Sequence, residues 1–394
     1  MIALSRLTRG VCSVAASFLM ALLFVLSAGT AEAETAAPIA PAKKPLRILI
    51  LGGTGFLGPA TIDAALARGH VVTMFNRGRT RPELYPNVEK LHGDRDPAKG
   101  GGLKELERGQ WDVVIDNSGY YPRHVKASAT LLSKRCRHYI YISSVSAYRE
   151  PNPIGGDEDA PLAVMADPAV EDMGKNYENF GPLKALCERA AQAAMPGRTT
   201  VIRPGYIVGP DDSSGRFTYW PVKFDNGGKV LVPGSPNDPV QVIDVRDLGE
   251  WLVKLAENGT MGVFTAAGPE NELKWGELIE ACVGASTADP KPRPVWINSD
   301  VIQKSHAVGM YPIWVPPIGH YAGFHKWSNK RAVNVGLKFR PISDTVRDTL
   351  AWYREQEKVE NGRVRLAAPT DEAEAKLLEA FKLDLLNALE QVLK

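Results

Sequence analysis

Leu46-Arg-Ile-Leu-Ile-Leu51 runs directly into Gly52-Gly-Thr-Gly-Phe-Leu-Gly58, and that into Pro59-Ala-Thr-Ile-Asp-Ala-Ala-Leu-Ala67. The first piece is a short apolar run of the kind that forms a strand buried on both faces, and the last has helical spacing. In the turn between them, Gly52 permits a tight bend, Gly55 lets the backbone approach a pyrophosphate, and Gly58 allows the helix to pack close. The helix N-terminus adds unpaired N–H groups and a positive dipole end. Strand, glycine turn and helix together predict nucleotide binding, with Gly52, Thr54, Gly55, Phe56, Leu57 and Gly58 as candidate contacts. A glycine turn packed only for steric reasons is the alternative.

Working outward, His70-Val-Val-Thr-Met-Phe75 reads as a second strand ending in Asn76-Arg77. NAD-preferring folds place an acidic residue near this point to bind the adenine ribose. Its absence here, with Asn76 and Arg77 in its place and Arg79 or Arg81 nearby, favours NADP over NAD. A solvated arginine-rich loop is the competing reading. Further strands are expected at Val88–His92, Trp111–Asp116 and His138–Ile142, leading to the polar turns Gly93-Asp94, Asn117-Ser118-Gly119 and Ser143-Ser144. Helical stretches such as 122–134 separate them, which indicates an α/β fold, a Rossmann-type doubly wound parallel sheet. Ligands of such sheets bind outside the carboxyl ends of the strands, where all these turns fall.

The chain has 394 residues with 47 Lys+Arg against 45 Asp+Glu. With 44% of residues hydrophobic and 23% charged the composition excludes a disordered chain, and the charge balance excludes a global basic field for nucleic acid or anionic membrane. Residues 1–33 have the parts of a secretory signal: Arg6 and Arg9, an apolar run Val11 to Gly29, and the small-residue site Ala31-Glu-Ala33. Cleavage after Ala33 and an exported, periplasmic or extracellular protein are expected, followed by a linker at 34–45. An uncleaved N-terminal membrane anchor is the alternative. Cys136, Cys187 and Cys282 match no Cys-x-x-Cys pattern, and no His/Cys/Asp cluster has metal spacing.

The sequence resembles the extended or atypical short-chain dehydrogenase/reductases, in the NAD-dependent epimerase/dehydratase family, over residues 46–355. The resemblance rests on Gly52-x-x-Gly55-x-x-Gly58, Gly93-Asp94, Ser143-Ser144-x-x-x-Tyr148, Lys184 within Gly181-Pro-Leu-Lys-Ala-Leu-Cys-Glu188, Arg203-Pro-Gly-Tyr206-Ile-Val-Gly-Pro210 and Val242-Ile-Asp-Val-Arg-Asp247. It implies that Asp94 contacts adenine, that Asn117, Ser118, Gly119 and Tyr206 line the cofactor, and that Ser144 polarises a substrate oxygen. Lys184 would hold the nicotinamide ribose and lower the pKa of a tyrosine four residues earlier. That position is Phe180, which has no proton to give. Tyr177 lies seven residues before Lys184, about 10.5 Å along a regular helix, and would serve only if the segment before Gly181 folds back. Tyr120 and Tyr121 are other sources of a phenol, and a desolvated Lys184 could itself be a base.

Residues 46–208 are thus expected to form the NAD(P)-binding domain, and 209–360 a smaller C-terminal substrate lobe interleaved with the end of the sheet. Arg216, Tyr219 and Trp220 are candidate substrate contacts there; Asp244 and Asp247 are expected to be structural. Residues 361–394 carry an amphipathic helix from Thr370, with Asp371 and Glu374 as a capping box. It is expected to pack back on the domain, the alternative being a homodimer seam. The functional expectation is an NAD(P)-dependent oxidoreductase or epimerase/dehydratase acting on a sugar, nucleotide sugar or polyol. Export favours redox-neutral chemistry, because nicotinamide cofactor is not supplied outside the cell. The other class is a non-catalytic nucleotide-sensing or RNA-binding module, suggested by Phe180, by the turn Asn76-Arg77-Gly78 shared with chloroplast stem-loop-binding proteins, and by the basic stretch Arg123 to His138. Near-zero net charge argues against RNA.

Overall fold

The computed structural model describes residues 41–359 and 364–393. The expected signal and residues 34–40 of the linker lie outside them. Seven parallel strands form the central sheet: β1 (Arg47–Leu51), β2 (Val71–Asn76), β3 (Glu89–His92), β4 (Val113–Asp116), β5 (His138–Ile142), β6 (Thr199–Pro204) and, from much later in the chain, β11 (Gly262–Ala266). Their order is β3-β2-β1-β4-β5-β6-β11. The direction of winding reverses between β1 and β4, which opens a crevice at their carboxyl ends.

Strand periodicity explains why both faces are covered. In β1, Ile48 and Ile50 point into one core cluster and Leu49 and Leu51 into another. Val113 and Ile115 against Val114, and Ile140 and Ile142 against Tyr139 and Tyr141, repeat the alternation. Helices α1 (Leu57–Ala67) and α5 (Val245–Asn258) cover the first face, and α2 (Pro122–Leu132) and α3 (Phe180–Ala194) the second.

A separate core is built from chain after residue 205. It joins α4 (Tyr219–Asp225), α6 (Trp275–Ala285) and α7 (Ser299–Lys304) with the pair β8 (Lys229–Pro233) and β13 (Arg293–Ile297). Short pairs β7 (Tyr206–Val208) with β10 (Val242–Asp244), and β9 (Pro239–Val240) with β12 (Leu273–Lys274), tie it to the sheet, and α8 (Lys330–Asn334) and α9 (Ile342–Glu357) return the chain to it. Tyr219 and Trp220 sit in this core, with the Trp220 indole donating to Pro312 O (2.9 Å), so neither faces a ligand. Asp244 accepts from Arg246 and Thr345, and Asp247 from the Arg340 backbone and side chain, as structural carboxylates.

The last helix, α10 (Asp371–Leu393), docks through Leu377, Ala380 and Phe381, while Leu383, Leu385, Leu386 and Leu389 are exposed. Its start differs from the expected capping box. Thr370 Oγ1 accepts from Ala373 N–H, and the Glu374 carboxylate turns inward to Tyr219, Tyr311 and Lys223 instead. Two phenols and an ammonium outcompete a local backbone donor for that carboxylate.

Candidate active site

At the end of β1 the glycines have separate tasks. Gly52 and Gly53 adopt positive φ (118° and 95°), a region costly for residues with a Cβ. A Cβ on Gly58 would lie 2.4 Å from the Gly53 backbone, so the helix seats on the turn itself. A Cβ on Gly55 would meet nothing within 4 Å, because this residue faces the open cleft. Helix α1 begins at Leu57 without a side-chain cap, which leaves its first N–H groups for a ligand. This cradle fits the pyrophosphate of a dinucleotide.

The turn is braced from outside. Arg81 donates to Thr54 O (2.7 Å) and pairs with Asp211 (2.6 Å). Arg81 is thereby removed from the set that could bind a 2′-phosphate, because its guanidinium is already committed. Asn76 accepts from the Gly78 N–H (2.8 Å) and shapes the next turn, and Arg77 is exposed beside it. A hollow of about 300 Å³ lined by Asn76, Arg77, Asp94, Ser118, Tyr121 and His124 adjoins the glycine turn. A smaller one of about 240 Å³ has Thr54, Arg77, Lys90 and His92 in its wall.

Beneath these loops lies a buried polar network. Asp116 receives both terminal nitrogens of Arg95 and the Tyr139 hydroxyl, so its carboxyl is held below the usual range despite complete burial. Arg95 also donates to Ser118 Oγ (3.0 Å), and Ser118 Oγ donates to Leu51 O (2.9 Å), which fixes the turn after β4. Asp94 accepts from the Asp96 N–H (2.9 Å) at the rim.

The main cleft, about 710 Å³, runs from Gly52 and Gly55 past Asn117 and Ser118 to Ser144, Phe180 and Lys184, and on to Tyr206 and Trp327. Lys184 Nζ donates to Gly119 O (2.9 Å) and Ile142 O (2.6 Å). Burial brings its pKa down to about 8. Ser144 Oγ accepts from the Ser146 N–H (3.1 Å) and retains its own proton to donate. Helix α3 starts at Phe180, and Phe180 lines the cleft. The segment before it is non-helical, as a role for Tyr177 requires. Yet Tyr177, at φ 60°, is 72% exposed and lies outside the cleft lining. The structure therefore does not bring Tyr177 to Lys184. Of the phenols expected as substitutes, Tyr120 comes near, its ring centroid 5.4 Å from Lys184 Nζ; the Tyr141 ring is closer still (4.5 Å), but its hydroxyl donates to Gly119 O.

Farther along, the lining comes from residues that carry no local sequence signal: Gln241, Phe324, His325 and Trp327. Gln241 exchanges two hydrogen bonds with the Trp327 backbone (2.8 and 2.9 Å). His325 Nδ1 accepts from Gln241 N–H and Nε2 donates to Ile313 O (3.0 Å each), so this buried ring, its pKa lowered to about 4, is neutral and fully used. Tyr206, expected at the cofactor, stands with this group, stacked under the Arg216 guanidinium (5.2 Å).

Among the described residues, no group of three or more His, Cys, Asp or Glu is placed to hold a metal. Within the basic stretch 123–138, Arg123 pairs with Glu171, Arg137 with Asp112, and His138 is buried against Thr200, while Lys126 and Lys134 are exposed. Cys136, Cys187 and Cys282 are buried free thiols.

A parallel sheet with this strand order and an open glycine turn at its crevice is the Rossmann-type arrangement of the extended short-chain dehydrogenase/reductase class. The chain belongs to the NAD dependent epimerase/dehydratase family, whose profile matches residues 48–266. It is 27% identical over 272 residues to the chloroplast stem-loop binding protein of 41 kDa b of Arabidopsis thaliana, a match covering 64% of this chain and 66% of that one. It is 27% identical over 271 residues to the mouse epimerase family protein SDR39U1, covering 64% of this chain and 84% of that one. Among solved structures it is similar to the Bordetella bronchiseptica enzyme WbmG in complex with NAD and UDP. That superposition has a TM-score of 0.57 at 17% identity, and covers 83% of this chain and 100% of the other.

Proposed function

We propose that this protein is an exported NAD(P)-dependent oxidoreductase of the epimerase/dehydratase type, acting on a hydroxyl or carbonyl of a sugar or polyol-like molecule, with Lys184 as the proton carrier. The observation that carries the reading is the placement of a buried amine, with one unused position, in the cleft that the glycine turn opens. A bound nicotinamide supplies or accepts the hydride. Two carbonyl acceptors satisfy both N–H bonds of a neutral Lys184, and the remaining tetrahedral position holds either a proton or a lone pair. With its pKa near 8, that amine exchanges a proton at ordinary pH. Ser144 donates to the substrate oxygen, and Phe180 keeps water from the amine where a phenol stands in relatives that the sequence resembles. Export favours redox-neutral turnover on a tightly held cofactor. NADP is favoured by the hollow beside Arg77, Lys90 and His92.

Lys184→Met is expected to lower kcat by roughly 10²–10⁴-fold, a loss larger than any accompanying weakening of dinucleotide binding from its contact to the nicotinamide ribose. In wild type, alcohol oxidation needs the neutral amine, so kcat rises as pH passes about 8, and the reverse reduction falls over the same range. Phe180→Tyr is expected to raise kcat. A pH-independent kcat between 7 and 9 that survives Lys184→Met would refute the assignment.

A further inference from the structure

The cleft lining has an unbalanced charge. It contains two cations, Lys184 and Arg216, and no Asp or Glu. Lys184 has two carbonyl partners, but Arg216 differs. Its Nε donates to Ser214 Oγ (3.1 Å), its guanidinium lies over the Tyr206 ring, and its terminal nitrogens pair with no carboxylate among the described residues.

The loop that carries Arg216 is held from behind. Asp212, buried, accepts from Ser214 N–H (2.9 Å) and Ser214 Oγ (2.6 Å), so the same hydroxyl that receives Arg216 Nε is itself oriented. Gly215 is pinned by the returning chain: its carbonyl accepts from Ala367 N–H (3.2 Å), and a Cβ there would lie 2.2 Å from Arg365 O. Arg216 is itself exposed at the mouth of the cleft, so this support sets where a solvated guanidinium stands rather than burying it.

The surroundings limit what else a substrate can find. Gln241 and His325 spend their polar atoms within the protein. Phe324, Trp327, Ile207 and Ala267 complete the wall, an apolar surface suited to the face of a ring.

Resting on the functional reading above, we propose that Arg216 is the anion-recognition residue of the substrate site, and that the substrate is a ring alcohol bearing one carboxylate or phosphate. The guanidinium fork offers paired donors to either group, and the aromatic wall takes the ring. A neutral sugar would leave that exposed guanidinium to water and gain nothing from it.

The test is calorimetric titration of the full-length mature protein with glucuronate, glucuronamide, glucose 6-phosphate and UDP-glucose, alongside NADPH and NADH. Glucuronate or glucose 6-phosphate should bind at least tenfold more tightly than glucuronamide, and which of the two does so distinguishes carboxylate from phosphate. Arg216→Met should abolish the preference and Arg216→Lys should retain part of it, with NADPH and NADH affinity held. The inference is overturned if neither anion outbinds the amide at about 10 mM, or if the preference survives Arg216→Met. It is also overturned if UDP-glucose alone binds, independently of Arg216. Absence of any anion preference in the wild-type protein, with dinucleotide binding intact, breaks this inference alone, whereas a protein that takes up neither NADPH nor NADH breaks the functional reading beneath it.

Discussion

The two ends of the cleft are made from opposite materials. At the dinucleotide end the ligand meets backbone: an open Gly55, an uncapped helix start, and turns held from below by Arg95 and Asp116. At the substrate end it meets side chains, and most polar atoms there are already paired within the protein. The first arrangement recognises groups shared by all dinucleotides. The second discriminates by shape and by one guanidinium, so the two ends should respond to substitution in different ways.

The largest expected effect lies at the joint between them. Arg203 on β6 makes a buried bidentate pair with Glu188 on α3 (2.7 and 3.0 Å), and Glu188 also receives the Ser143 hydroxyl. Arg203 lies 4.5 Å from the Tyr148 ring, which stacks on Trp327 of the substrate wall. Arg203→Met should cost about 3–5 kcal/mol in urea unfolding, because it leaves a buried carboxylate without its cation. Adding Glu188→Leu should recover much of that loss. The folded fraction of the single variant should hold dinucleotide normally and bind substrate poorly. Equal damage at both ends would break the comparison.

Next in size is Gly55→Val. Nothing lies within 4 Å of the added Cβ, so stability should change by less than about 1 kcal/mol. The side chain would nevertheless occupy the place of the pyrophosphate and weaken NADPH and NADH binding by roughly tenfold to a hundredfold. Fluorescence titration and thermal unfolding on one sample measure both effects. Unchanged affinity would place the pyrophosphate elsewhere.

The same contrast explains what the sequence could and could not tell. The dinucleotide end arises from one unbroken stretch, Leu46 to Ala67, and from turns that follow recognisable strands. Periodicity and glycine spacing report such local geometry directly. Arg216 could be named among candidates, but not separated from its buried neighbours Tyr219 and Trp220, because burial depends on how α4 meets α6 and β8. Gln241, Phe324, His325 and Trp327 converge from segments about 80 residues apart, and no local pattern encodes that meeting. Whether Tyr177 turns back toward Lys184 stays open in the sequence for the related reason that sequence distance says nothing about the direction of a side chain in the turn before α3. The capping box at Asp371 and Glu374 failed because tertiary partners took the glutamate.

The smallest effect tests how far the dinucleotide end discriminates on its own. Arg77 is exposed and borders both hollows beside the glycine turn, while Arg81 is tied to Thr54 and Asp211. Arg77→Ser should weaken NADPH binding by about tenfold, the worth of one charge-assisted contact at a solvated site, and leave NADH within twofold. Arg81→Ser should weaken both dinucleotides together, since it loosens the turn that holds the groups they share. If the two variants gave the same selectivity, the 2′-position would be read by the turn as a whole. A side chain would then do no discriminating at this end, and the contrast with the substrate end would be sharper than Arg77 now makes it.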